Sequence, residues 1–279
     1  MLVSVALASA TKPHLMYLLV DDWGWANWGA HRPPDFPETV TPTLDRLASV
    51  EGVVLDHYYV HMYCSPSRSS LQTGRFPIHV NVVNADERVA NPDDTLAGFA
   101  GVPRNMTTLA QKLKDVGYRT HFVGKWDCGM ATHEHTPAGR GYDTSLLYFE
   151  HANDYWTMRG APCGTAPVVD LWEGAGPAYA KANAASCAPG SPGAPPPNAS
   201  ASASACVYED DLFGDEVLRV VAAHDPAQPL FLVWAPHLVH APLEVRTRPC
   251  PGGAITTSQG RVHPIHPPIR RYRLAPPHT

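Results

Sequence analysis

Three apolar stretches of the chain end in residues with chemically active side chains. Residues 13–22 (PHLMYLLVDD) end in two acids, residues 118–126 (YRTHFVGKW) end beside a lysine, and residues 229–242 (PLFLVWAPHLVHAP) carry two histidines into a loop. Each stretch predicts a strand, and the first and third are apolar enough to predict buried strands. Ligand sites in open α/β sheets lie beyond the carboxyl ends of strands, so we expect these polar residues at one edge of a sheet.

Segments with helical spacing separate the predicted strands. Residues 107–117 (TTLAQKLKDVG) combine apolar spacing with a glycine stop, and the next strand follows at once. Residues 41–52 begin with a threonine cap and a proline in the first turn, and residues 208–225 carry acids in the first turn of an amphipathic segment. Residues 53–60 (VVLDHYYV) predict a further strand. The pattern predicts an α/β domain with helices flanking a sheet.

Three other segments are less regular. Residues 131–180 are rich in glycine, aromatic and polar residues without a clear period, as in long loops that build a pocket. Residues 187–206 are of low complexity and predict a surface insertion, which a disulfide between the flanking cysteines Cys187 and Cys206 would close. Residues 246–279 form an irregular tail rich in proline and arginine, so the predicted domain spans residues 13–245.

Features of secreted proteins occur along the chain. Residues 1–12 include an apolar stretch with an Ala-Ser-Ala ending, which reads either as a weak secretion signal or as the approach to the first strand. The six cysteines form no Cys-x-x-Cys metal pattern. Sequons at Asn105 and Asn198 fit a glycosylating, oxidising route. We therefore expect the secretory pathway, with a lysosomal or extracellular destination.

Overall charge and hydropathy exclude two classes of partner. The formal charge of −5 provides no global field for nucleic acid, so any anion site must be a local cluster of cations or metal. No apolar run reaches the roughly 18 residues that a membrane span requires. We therefore expect neither a nucleic-acid partner nor a membrane span.

Residues 64–75 (CSPSRSSLQTGR) place a cysteine at the start of a predicted helix. Pro66 suits the first turn, and Arg68 lies one turn after Cys64. A helix amino terminus with an arginine is an anion site, and the same surroundings would lower the pKa of a thiol. Cys64 thus reads as part of an anion site, as a nucleophilic thiol or, in the simplest reading, as a small buried apolar residue.

The stretch resembles the signature of the sulfatase family, and the chain is most similar to arylsulfatases of the arylsulfatase B kind. The resemblance implies an alkaline-phosphatase-like mixed sheet flanked by helices. It also implies that Cys64 is converted to formylglycine by a formylglycine-generating enzyme, and that the hydrated aldehyde attacks the sulfur of a sulfate ester. The matching residues are Cys64, Ser65, Pro66, Ser67, Arg68, Leu71, Thr73, Gly74 and Arg75, whereas Gln72 departs from the pattern.

Other motifs extend the resemblance along the chain. It implies that Asp21 and Asp22 are ligands of one calcium ion together with residue 64, and adjacent acids at a strand end suit such a hard cation. It also implies that Lys125 clamps a sulfate oxygen and that His240 assists the leaving alcohol. The expected substrate is a sulfated small molecule or glycan.

The chain also departs from the family pattern. The GKWDCG stretch carries Asp127 where the family has a histidine that contacts formylglycine, and an acid there would repel sulfate unless it is neutralised. His133 and His135 are candidates to replace that histidine, whereas His237 is expected to be structural. The family's later Asp-Asn pair and second lysine cannot be placed, which predicts a C-terminally incomplete domain. Three readings follow: a sulfate ester hydrolase, an inactive anion-binding protein and a cysteine-dependent enzyme.

Overall fold

A six-stranded sheet runs through the computed structural model, which describes residues 12–32, 39–80, 91–163, 166–183, 187 and 206–244. The strand order is β1-β8-β2-β3-β6-β7, in which β1, β8, β2 and β3 are parallel and β6 and β7 are antiparallel. A separate two-stranded sheet pairs β4 with β5. The strands are β1 Leu15–Leu18, β2 Arg119–Lys125, β3 Thr144–Tyr148, β4 Arg159–Cys163, β5 Ala166–Val169, β6 Trp172–Glu173, β7 Gly176–Pro177 and β8 Leu230–Ala235.

Four α-helices accompany the sheet, and their ends follow local rules. Thr108 caps the third helix by accepting a hydrogen bond from the Gln111 amide, and Gln111 reciprocates toward the Thr108 amide. Gly74 ends the second helix at φ 66°, a conformation that glycine adopts without a steric cost. The helices are α1 Pro42–Arg46, which continues as a π-helical turn over Leu47–Glu51, α2 Cys64–Thr73, α3 Leu109–Asp115 and α4 Glu209–Ala223.

The two faces of the sheet each carry a hydrophobic cluster. Along β2, Phe122 belongs to one cluster and its neighbour Val123 to the other, because successive side chains of a strand point to opposite faces. Ala110 of α3 packs in the first cluster, and Phe213 of α4 packs in the second. The described residues therefore form three layers, with the sheet between helices, and the predicted α/β class is confirmed.

Two strand predictions need correction. Residues 53–60 form no strand, and Tyr59 in this segment is 80% exposed. Strand propensity alone does not make a strand, because the backbone also needs a hydrogen-bonding neighbour. The first strand forms where predicted but is not buried, since Met16 is 55% exposed. Among the described strands, β1 pairs with β8 alone and so lies at an edge of the sheet.

The segment 131–180 is more regular than its sequence indicates. It contains β3 through β7, and β6 and β7 are only two residues long each. Strands this short have too few residues to establish an alternating pattern, so the sequence reads as loop. The described part of the segment nonetheless extends the main sheet beyond β3.

The predicted insertion is closed by a disulfide. Cys187 and Cys206 are bonded, with their Cα atoms 5.8 Å apart. Residues 188–205, residues 1–11 of the predicted leader 1–12 and the tail at 246–279 lie outside the described residues. Within the described ranges, no helix combines the length and apolar character needed to cross a membrane.

Candidate active site

The carboxyl ends of four parallel strands converge on one cluster of polar side chains. Asp21 and Asp22 follow β1, and the backbone of Asp21 joins the loop after β8 through hydrogen bonds with Leu238 and Val239. The amino end of α2 faces the same edge. The side chains brought together are Asp21, Asp22, Cys64, Arg68, Lys125, Asp127, His151 and His240.

Cys64 lies at the amino end of α2, at the centre of this cluster. Its sulfur is 3.6 Å from Oδ1 of Asp21 and 3.1 Å from Nζ of Lys125. The start of a helix carries a partial positive charge from its free N–H groups. Residue 64 therefore lies beside a cation and at the amino end of a helix, and both would stabilise a negatively charged reactant.

Two buried cations share the carboxylate of Asp21. Nζ of Lys125 lies 2.6 Å from Oδ2 of Asp21, and Nη2 of Arg68 lies 3.4 Å from the same oxygen. Arg68 also donates from Nη1 to the backbone oxygen of Lys125 at 2.7 Å. Burial alone would raise the pKa of Asp21, but the charges of Arg68 and Lys125 hold it below its usual range. These three buried groups carry a net charge of about +1 at neutral pH.

Gly124 lets the lysine strand approach its neighbour closely. Its φ is 106°, and a Cβ atom at this position would lie 1.9 Å from the backbone oxygen of Ala235. No side chain fits there, so β2 and β8 can lie side by side directly before Lys125. The glycine thus fixes where the lysine enters the site.

The surroundings of Cys64 also change its acidity. Burial would raise the pKa of the thiol, but hydrogen bonds with His151 and His240 and the charge of Lys125 outweigh burial and lower the pKa to about 6. The other described free thiol, Cys128, has a pKa raised to about 12 because it is fully buried. The two cysteines therefore differ strongly in expected reactivity.

Unconverted Cys64 is expected to react with iodoacetamide in a manner that follows this lowered pKa. The rate should rise with pH through a midpoint near 6, because the thiolate is the reactive form and it predominates above the pKa. Peptide mass spectrometry after timed labelling at pH 4 to 9 would give the profile. A midpoint near 8.5, the value of a free thiol, would contradict the described contacts.

Asp127 has a partner that the sequence did not indicate. Its side chain is 2% exposed, and its Oδ2 lies 3.0 Å from Nδ1 of His151. The hydrogen bond to Asp127, together with one to Cys64, raises the pKa of His151 to about 10. The acid therefore faces the site as one member of an ion pair.

The two candidate replacements for the family's histidine lie elsewhere. His133 is exposed. His135 is buried beside Thr132, and its burial lowers its pKa to about 4. Among the described residues, the imidazoles grouped with Cys64 belong to His151 and His240. The one available signal for His151 was its place three residues after a strand, but that strand was not predicted.

The two histidines in the loop after β8 lie in different surroundings. His240 lies with Nε2 3.6 Å from Oδ2 of Asp22, and its pKa is raised mainly by a hydrogen bond with Cys64. His237 is fully buried, with Nδ1 3.0 Å from Oε2 of Glu209, and burial lowers its pKa to about 3. His237 thus belongs to the framework, as expected, and His240 faces the site.

The candidate metal ligands are carboxylate oxygens, which are the type of ligand that a hard cation prefers. The carboxylate of Asp21 lies beside residue 64, and the exposed carboxylate of Asp22 lies 3.6 Å from Nε2 of His240. Calcium takes six to eight oxygens, so these carboxylates alone would not complete a calcium site, and water or further oxygens would have to supply the other ligands. In its thiol form, Cys64 is a poor calcium ligand, whereas an oxygen at that position is a good one.

Comparisons with known proteins agree with this geometry. The Sulfatase family model matches residues 13–260. Arylsulfatase J of Mus musculus is 34% identical over 241 residues, covering 86% of this chain and 35% of that protein. N-acetylgalactosamine-6-sulfatase of Homo sapiens is 30% identical over 244 residues, covering 85% of this chain and 41% of that protein. The chain therefore spans about two fifths of the length of these relatives.

Solved structures show the same fold. The crystal structure of Ps i-CgsB in complex with k-i-k-neocarrahexaose superimposes with a TM-score of 0.60 at 24% identity, covering 84% of this chain and 46% of that chain. The PsFucS1 sulfatase from Pseudoalteromonas sp. gives a TM-score of 0.57 at 22% identity, covering 82% and 44%. The mixed sheet with flanking helices is thus the alkaline-phosphatase-like fold, and the chain belongs to the sulfatase family.

Proposed function

We propose that this protein hydrolyses sulfate monoesters, with residue 64 as formylglycine. The observation that carries the proposal is the position of Cys64, between the carboxylate of Asp21 and the ammonium of Lys125 at the start of α2. A sulfate group placed there would meet two buried cations within a site that excludes much of the solvent. Fixed charges act most strongly in such surroundings.

Each side chain has a definite role in the proposed reaction. Lys125 and Arg68 bind the sulfate oxygens and stabilise the charge that develops as the ester bond breaks. His240, which lies beside Asp22 and residue 64, donates a proton to the departing alcohol. Hydrated formylglycine supplies one hydroxyl to attack sulfur and a second to release the sulfate. The balance is ester plus water giving alcohol plus sulfate.

Asp21, Asp22 and residue 64 would hold the calcium ion. When bound, the ion supplies a Lewis acid beside the oxygen of residue 64. Asp21 also has a structural role, because its carboxylate orients Lys125 and Arg68. Because Lys125 and Arg68 both contact this carboxylate, the sulfate oxygens would lie against these two cations.

The biological setting follows from the same residues. Conversion of Cys64 requires a formylglycine-generating enzyme as a partner. The Cys187–Cys206 disulfide is of the kind that persists in oxidising compartments, which supports a secretory route with a lysosomal or extracellular destination. We assign a sulfated glycan or small aryl sulfate as the substrate class, since the relatives above include a sulfatase named for a sulfated sugar.

A second candidate function uses the unmodified thiol. The lowered pKa of Cys64 makes it mostly thiolate at neutral pH, which suits a nucleophilic cysteine. The third reading, an inactive anion-binding protein, drew support from Asp127 and from the family's later Asp-Asn pair, which cannot be placed. The His151 partner answers the first of these two arguments.

Peptide mass and turnover together test the proposal. Protein from a host with the converting enzyme should carry formylglycine at residue 64 and release product from a chromogenic aryl sulfate in the presence of calcium. The Cys64→Ala variant is the control. Formylglycine without turnover of aryl or glycan sulfates would favour the anion-binding reading, and an alkylatable thiol in that host would favour the cysteine enzyme.

A further inference from the structure

The pair formed by Asp127 and His151 connects two neighbouring strands beside residue 64. Asp127 follows β2, with its amide donating to the backbone oxygen of Phe149 at 3.1 Å, and His151 lies two residues beyond Phe149. The side chains meet at 3.0 Å between Oδ2 and Nδ1. The parallel β2–β3 pairing therefore sets where the acid and the imidazole meet.

The pair also reaches residue 64. One ligand atom from each of Cys64, Asp127 and His151 lies within 4.8 Å of the other two. Asp127 is 2% exposed, so the side of the pair formed by the acid is closed to solvent, whereas the imidazole is partly accessible. The imidazole is thus held by a buried acid on one side and placed against the reacting residue on another.

In the family pattern, a histidine stands where this chain has Asp127. This chain instead brings the imidazole of His151, which follows β3, to residue 64. We propose that Asp127 and His151 together replace that single histidine: Asp127 orients the ring, and His151 contacts the oxygen of residue 64. The assignment rests on the proposed sulfatase function for its chemistry. His151 is then a catalytic residue, and Asp127 is a positioning residue.

Charge supports the same assignment. An unpaired carboxylate at position 127 would repel a sulfate ester at short range. The contact of 3.0 Å between its Oδ2 and Nδ1 of His151 instead gives the Asp127 carboxylate a hydrogen-bonding partner. His151 can then donate a hydrogen bond toward an anionic oxygen, which a buried aspartate alone cannot do.

Turnover by four variants tests the arrangement. His151→Ala should lower kcat about 10²-fold with KM within threefold, because the contact acts on residue 64 rather than on the substrate. Asp127→Asn should lower kcat about 10-fold, since an amide holds the ring more weakly. The double variant Asp127→His/His151→Ala moves the imidazole to the family position and should recover about 10-fold over His151→Ala. His133→Ala, an exposed histidine, is the matched control.

A readout without turnover separates this inference from the proposed function. In protein with unconverted Cys64, both His151→Ala and Asp127→Asn should slow alkylation by iodoacetamide at pH 7 at least threefold, while His133→Ala should not. If the wild type lacks sulfatase activity, slowed alkylation still supports the contact and the proposed function fails alone. Alkylation rates within 1.5-fold of wild type in both variants, or unchanged kcat in an active enzyme, would overturn the inference.

Discussion

Replacing Cys64 with serine is expected to abolish steady-state turnover of a sulfate ester, by about 10⁴-fold or more. In a host whose converting enzyme acts on cysteine, serine stays unconverted and offers one hydroxyl where the proposed reaction needs two. That hydroxyl can attack sulfur once and release the alcohol, but no second hydroxyl remains to expel the sulfate. The variant should therefore accumulate a sulfated serine at residue 64.

Intact-peptide mass spectrometry after incubation with substrate checks this result. The peptide containing residue 64 should gain the mass of one sulfo group in the serine variant, and it should gain nothing in Cys64→Ala. Cys128→Ala is a matched control, because Cys128 is also a free cysteine and is fully buried in the hydrophobic core. Steady turnover by the serine variant would show that residue 64 is not the nucleophile.

Removing the ammonium of Lys125 is expected to have the second largest effect. Lys125→Ala should lower kcat about 10²- to 10³-fold, because the site loses a preorganised cation aimed at the sulfate. The change also leaves the Asp21 carboxylate, which is 6% exposed, with Arg68 as its remaining described cationic partner. Breaking such a buried pair typically costs about 3–5 kcal/mol of stability.

The two consequences of the Lys125 change can be measured apart. Denaturant unfolding gives the loss of stability, and steady-state kinetics at a temperature where the variant stays folded gives the loss of turnover. Lys181→Ala removes an exposed lysine that pairs with Glu173 at the surface, and it should alter neither quantity appreciably. A folded Lys125→Ala protein with turnover within threefold of wild type would exclude Lys125 from the sulfate site.

The double variant Lys125→Ala/Asp21→Asn gives a further check on the ion pair. If the stability loss comes from the unpaired carboxylate, neutralising Asp21 should restore part of it, because a neutral amide is less costly to bury than a charge. Turnover should stay low, since the cation is still missing. Recovery of turnover without recovery of stability would contradict the described pairing.

Local sequence rules were sufficient for most helices and for the two segments that carry Cys64 and Lys125. The amphipathic α4 and the capped α3 formed where their patterns predicted. The helix start at Cys64 and the strand end at Lys125 were readable because each depends on residues close in sequence. Their convergence followed from the rule that parallel strands share a carboxyl edge, and the structure brings them within 3.1 Å.

Contacts between distant segments were not readable in the same way. The partner of Asp127 depends on how β2 aligns with β3, and β3 lies in a segment whose short strands carry no clear pattern. The same limit explains residues 53–60, whose composition favours a strand but which have no hydrogen-bonded neighbour among the described residues. A strand is decided by its neighbour as well as by its own residues.

The amino-acid sequence by itself determined the α/β class, the order of its main elements and the candidate site residues Cys64, Arg68 and Lys125. These features rest on periodicity, caps and short motifs, which act within a few residues. Tertiary structure decided that the carboxylate of Asp21 lies against both Lys125 and Arg68 and that Asp127 is paired with His151. Such contacts join residues as many as 104 positions apart, and only packing and strand register set their distances.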